Sequence, residues 1–144
     1  METSLTDPVE TVLGFDTGFF QRLYARDAQA TAAWDDVRAE RAVGAISCIT
    51  LFELERLGLR GGVLPRDVAD GLVRSLPVTC RVVWLGADDG ADRLHRAARL
   101  AHGNGLAMAD SIILTSLLDA GATTVYTTDS DFERYDGPVH VVQL

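Results

Sequence analysis

Val12-Leu13-Gly14-Phe15 is a run of four apolar residues closed by Asp16, and its reading decides the fold. A short apolar run ended by a polar residue is the pattern of a strand buried on both faces, as in a parallel sheet. The pattern returns at Thr124-Val125-Tyr126-Thr127, with Asp129 just beyond it. Residues 43–48, 79–85 and 139–143 are three further β-prone stretches, Val82-Val83-Trp84 most strongly. Helical patterns separate them, at 17–26, 28–41, 50–59, 65–76, 88–102 and 107–120. Pro65 suits the first turn of its helix, and Gly121 the left-handed position after the last. Gly61-Gly62 and Gly103-Asn104-Gly105 break the chain, and a short helical turn is expected at 131–134. Five short strands alternating with helices predict an α/β fold. The architecture expected is a three-layer α/β/α domain with a central, mainly parallel five-stranded sheet. Residues 1–10 are polar and read as a flexible tail, leaving 11–144 as one domain.

The 144 residues, 47% of them hydrophobic, suffice for one substantial core. Acids outnumber bases 21 to 13, for a net charge of -8, and every base is arginine. Without lysine there is no P-loop lysine, no Schiff base and no lysine general base. A phospho-acceptor receiver domain of this size and acidity is disfavoured for the same reason. The start carries Glu2, Asp7 and Glu10 with no base, unlike a signal peptide, and no apolar run approaches the roughly 18 residues of a membrane span. Cys48 and Cys80 lie in apolar, strand-like stretches without ligand spacing and read as reduced core thiols. A soluble, cytoplasmic protein with no membrane partner is expected.

The useful question about the acids is which of them sit where water should not be. Asp16 and Asp129 each follow a buried-type strand, and ligands of open parallel sheets bind beyond the strands' carboxyl ends. Asp110 shares a helix face with Ile113, Leu114 and Leu117, so it is drawn towards the sheet edge, where the helix dipole favours a carboxylate. A plain capping role explains Asp110 equally well. Glu53 lies beside the stripe of Thr50, Leu54 and Leu57, although an ordinary pair with Arg56 also accounts for it. Asp131 is either a helix cap or a metal neighbour. Jointly the acids say more. Carboxylates about 4 Å apart repel by roughly 4 kcal/mol at an effective dielectric near 20. A converging set therefore needs protons or divalent cations. Hard oxygen donors without a Cys or His cluster point to Mg²⁺ or Mn²⁺, which activates water for phosphodiester displacement.

Four ordered blocks carry a family resemblance: Phe15-Asp16-Thr17, Ile49-Thr50-Leu51-Phe52-Glu53-Leu54, Ala109-Asp110-Ser111 and Thr127-Thr128-Asp129-Ser130-Asp131-Phe132. Together they resemble the PIN-domain ribonucleases, nearest the VapC-like toxins of bacterial type II toxin–antitoxin pairs. The last block is the most specific, and residues 61 to 105 match only in general character. The resemblance implies a PIN-like fold and a Mg²⁺-dependent endoribonuclease that leaves 3′-hydroxyl and 5′-phosphate ends. It implies an acidic quartet of Asp16, Glu53, Asp110 and Asp129, with Asp16, Asp110 and Asp129 holding metal. Glu53 would hold a water or orient the nucleophile, Thr127 would position the fourth acid, and Asp131 matches a common extra acid. An antitoxin covering the site and grooves on the second and third helices, and a homodimer, are the implied partners. Three features depart from the family: about 15 residues precede Asp16, Gly18 replaces a bulkier residue, and the charge is unusually negative for an RNA enzyme. The alternatives are an RNA-maturation nuclease without antitoxin, or a non-catalytic regulatory binder of the same fold.

Arg56 and Arg60 share Glu53's side of its helix and are the expected RNA-contacting residues. Arg93, Arg96 and Arg99, with His95 and His102, read as a solvated helix face answering Asp88, Asp89 and Asp92, the alternative being a phosphate-tracking edge leading to the site. Phe19, Phe20, Tyr24 and Trp34 read as core or dimer contacts.

Overall fold

A computed structural model describes residues 10–144. Five strands, β1 (Val12–Phe15), β2 (Val43–Ser47), β3 (Arg81–Val83), β4 (Thr124–Thr127) and β5 (His140–Gln143), form one sheet in the order β3-β2-β1-β4-β5. Every neighbouring pair is parallel. Six helices connect them: α1 (Thr17–Tyr24), α2 (Ala28–Arg38), α3 (Cys48–Arg60), α4 (Arg66–Thr79), α5 (Gly90–Asn104) and α6 (Met108–Asp119). The result is the expected three-layer α/β/α architecture.

Period-two alternation sorts the strand residues between two cores. Leu13, Phe15 and Ile46 face a core shared with α1 to α4, in which Phe15 stacks on Phe19 at 4.0 Å and meets Phe20 and Trp34 edge-on. Val12, Ala45 and Val125 face the other core, built on Ile113, Leu114 and Leu117 of α6. Gly14 lets α6 lie close, since a Cβ there would sit 3.0 Å from Leu117 Cδ1. Phe19 and Phe20 are therefore core residues, Trp34 packs against that core, and Tyr24 is exposed.

Chain order leaves β1 towards β2 on one side and towards β4 on the other, and a crevice opens where the order reverses. Asp16 and Asp129 emerge at that crevice.

Several expectations change at element ends. Helix α3 starts at Cys48 directly off β2, capped by the Ser47 hydroxyl accepting from Ile49 N–H, so Cys48 is not a strand residue. Helix α4 runs past Leu76 to Thr79 with Pro77 inside its last turn, where proline forfeits only one helical bond. Strand β3 is thereby shortened from 79–85 to three residues, and Pro65 caps α4 rather than opening its first turn. Helix α5 extends through Asn104 and ends on Gly105 at φ +68°. Helix α2 stops at Arg38, before the left-handed Glu40. Both cysteines are free; Cys80 is buried, which pushes its thiol up to about 12. The expected tail falls on residues 1–9, outside the described residues, whereas Glu10 is tied to the sheet edge by Arg81 at 3.0 Å. No helix among the described residues is long and apolar enough to cross a membrane.

Candidate functional site

Asp16 is the last residue of the β1 path and also the cap of α1. Its carboxylate accepts from Phe19 N–H at 2.9 Å and Thr128 N–H at 3.3 Å, and from the Thr127 hydroxyl. At 5% exposure it is the most buried of the four acids, and burial pushes it up to about 6 against those hydrogen bonds. Thr127, wholly buried at the end of β4, also accepts the Asp129 N–H at 2.9 Å. One hydroxyl thus joins the two strand-end acids across the β1–β4 pair. Asp129 caps the following turn of 3₁₀ helix (Ser130–Arg134), accepting from Asp131 N–H at 2.9 Å.

Asp110 stands in the first turn of α6 but does not cap it, since the capping position is Ala107. Its side chain is free for other work. Burial first, then hydrogen bonding and charge from Asp129, and then the charges of Glu53 and Asp16, push Asp110 up to about 7. The four carboxylates are thus close enough to feel one another. Glu53 makes no ion pair with Arg56; its Oε1 accepts from the Thr17 hydroxyl, which also lies 3.3 Å from Thr50 Oγ1. Asp16, Glu53, Asp110 and Asp129 all line one cavity of about 230 Å³, walled also by Thr17, Gly18, Gln21, Arg56, Arg60 and Thr128.

Asp131 belongs elsewhere. It is not the cap, and its carboxylate pairs with Arg134 at 3.1 Å outside the cavity lining. The Arg93 face holds in part: Arg93 pairs with Asp89 at 3.3 Å and Arg96 with Asp92 at 2.9 Å, but Arg93 is not solvated. Arg93 is 7% exposed and donates to Asp119 at 2.8 Å and to Trp84 O at 2.7 Å, while Arg96 grips Asp119 at 2.7 Å. The acid that matters most to them is on α6, out of reach of a reading along α5 alone. Sequence reasoning missed Thr17, Gln21 and Thr128 as cavity residues; the places of Thr17 beside Asp16 and of Thr128 beside Asp129 were the only hints.

A divalent cation is the natural counter-charge for this donor set, which is all carboxylate oxygen. Among the described residues no three acidic, His or Cys side chains form a ready-made cage. A divalent ion that keeps several of its waters and is held through one or two carboxylates needs no such cage. The residues present fit such an ion.

A family model described as the PIN domain matches residues 15–138. No curated protein sequence matches significantly. Among solved structures, VapBC2 of Rickettsia felis, bound to a DNA fragment from its promoter, has a chain 14% identical at TM-score 0.67, covering 92% of this chain and 98% of its own. A toxin–antitoxin complex of Klebsiella pneumoniae is 22% identical at TM-score 0.66, with 91% and 96% covered. VapC20 of Mycobacterium tuberculosis, a sarcin-ricin loop cleaving toxin, is 22% identical at TM-score 0.60, with 84% and 92% covered. Identities at this level speak for the fold alone.

Proposed function

Because the chain belongs to the PIN-domain family, we propose that it is a Mg²⁺-dependent endoribonuclease acting as the toxin of a type II toxin–antitoxin pair. The observation that carries this reading is the convergence of Asp16, Glu53, Asp110 and Asp129 on one cavity rimmed by Arg56 and Arg60. A pure binding surface gains nothing from three further carboxylates whose charge raises the proton affinity of Asp110. Asp16, Asp110 and Asp129 would hold the ion, directly or through its waters, and Mn²⁺ would be an acceptable substitute. The ion supplies charge neutralisation at the scissile phosphate and lowers the pKa of water. Glu53, steered by Thr17, orients the attacking water and accepts its proton. Thr127 fixes Asp16 and the Asp129 backbone at a constant spacing. Arg56 and Arg60, exposed and without ion pairs among the described residues, hold flanking phosphates. An antitoxin partner, supported by the complexes in which similar chains were solved, completes the proposal, together with a homodimer as the family resemblance implies. Phe52 and Leu59, exposed on α3, are the apolar surface for such a partner.

The test is purified protein incubated with structured RNA, under Mg²⁺ or EDTA, beside Asp110→Asn. Cleavage under Mg²⁺ alone, reduced about 10²–10³-fold in the variant, is expected. Cleavage that survives chelation, or an undiminished variant, overturns the metal mechanism.

A further inference from the structure

Six of the thirteen arginines are held in ion pairs within the described fold: Arg41, Arg74, Arg81, Arg93, Arg96 and Arg134. Of the others, Arg56 and Arg60 border the acidic cavity, and Arg22 lines a second recess of about 340 Å³ beside it. The two recesses share Gly18, Gln21 and Thr128. They differ in charge: four carboxylates line the first, none the second.

Gly18 and Thr128 stand between them. A Cβ at Gly18 would lie 1.9 Å from Thr128 Oγ1, so the glycine lets the Thr128 side chain pack directly on the start of α1. Gln21 and Thr128 line both recesses with neutral hydrogen-bonding side chains. Val63, 67% exposed on the far wall, gives an apolar surface for a sugar or base.

We propose that this second recess is a backbone-phosphate subsite of the same site. A single strand then runs from Arg56 and Arg60, past the acids and across Gln21 and Thr128, to Arg22. The inference rests on the ribonuclease reading and adds to it the path of the strand and the residue that holds its far end. A polyphosphodiester fits the alternation of the groove, cation-loaded acids followed by a free guanidinium. The competing account is that Arg22 merely complements the dipole in the last turn of α1, which touches stability but not binding.

The experiment is fluorescence anisotropy of a labelled single-stranded RNA with the full chain in Ca²⁺, as wild type, Arg22→Ala, Arg22→Glu and Arg99→Ala, across a salt series. Melting curves are recorded alongside, and cleavage in Mg²⁺ is followed separately. Arg22→Ala is expected to weaken binding about threefold to tenfold and to lower the log–log salt slope by about 1, Arg22→Glu to weaken it further. Arg99→Ala, on the distant face of α5, should change neither. An Arg22→Ala chain that binds like wild type with an unchanged slope, or an equal loss in Arg99→Ala, overturns the subsite. Wild-type protein that binds RNA through Arg22 but never cuts it overturns the ribonuclease reading instead. Wild-type protein that does not bind RNA overturns both.

Discussion

Glu53 takes its orientation from a neighbour, the hydroxyl of Thr17, rather than from the backbone around it. Thr17→Val keeps the shape of the side chain and removes that donor. A turnover loss of about 10–100-fold is expected, with a melting temperature close to wild type and recovery in Thr17→Ser. A fall in both, or in neither, would count against a positioning role. The four acids were legible because each sits at a place set by local pattern: after a buried strand, or on the apolar side of a helix. Thr17 was not, because its partner lies 36 residues away and a threonine at a helix start explains itself. Asp131 shows the converse. A motif position invited a role there, but the structure gives its carboxylate to Arg134.

At the scale of elements, α6 is the member that carries Asp110 into the crevice, and it is held at both ends. Its residues from Ser111 to Leu117 are all buried, so the single apolar stripe read from the sequence understates its surroundings. Its far end carries Asp119, an acid at the unfavourable pole of the helix dipole. Hydrogen bonds from Arg96 and, against the pull of burial, from Arg93 hold Asp119 below the usual carboxylate range. Arg93→Ala leaves part of that charge uncompensated and cuts the link to Trp84 O. A destabilisation of about 3 kcal/mol is expected in chemical denaturation. Arg93→Ala with wild-type stability would show that packing alone seats α6. Strand and helix identities were legible from alternation and turn residues. The ends were not, because Ser47 and Pro77 act through caps and single lost bonds that periodicity does not register.

For the whole molecule, the site sets how stability depends on pH. Asp16 is pushed up to about 6 and Asp110 to about 7, from ordinary values near 3.8. Both bind protons more tightly in the folded chain, so their contribution is fully present below about pH 4 and is lost as pH rises through 6 to 7. In EDTA the melting temperature should rise as pH falls from 8 to 5. With saturating Mg²⁺ the rise should flatten, because the ion takes the place of the protons on the same oxygens. An equal slope with and without Mg²⁺ would separate the ion from these acids. The charge of -8 acquires a purpose here: two divalent ions would halve it, and the part they cancel lies at the cavity mouth.

The Thr127–Asp16 hydrogen bond closes the site across 111 residues of chain. A ribosome making this protein delivers Asp16 and Glu53 early, yet β1 waits unpaired on its β4 side until the last stretch has emerged. Any product released by a stop codon ahead of residue 124 lacks Asp129 and the Thr127 clasp that spaces it from Asp16. The cavity is therefore completed only when β4 and Asp129 have joined β1, long after the first two of its acids are in place.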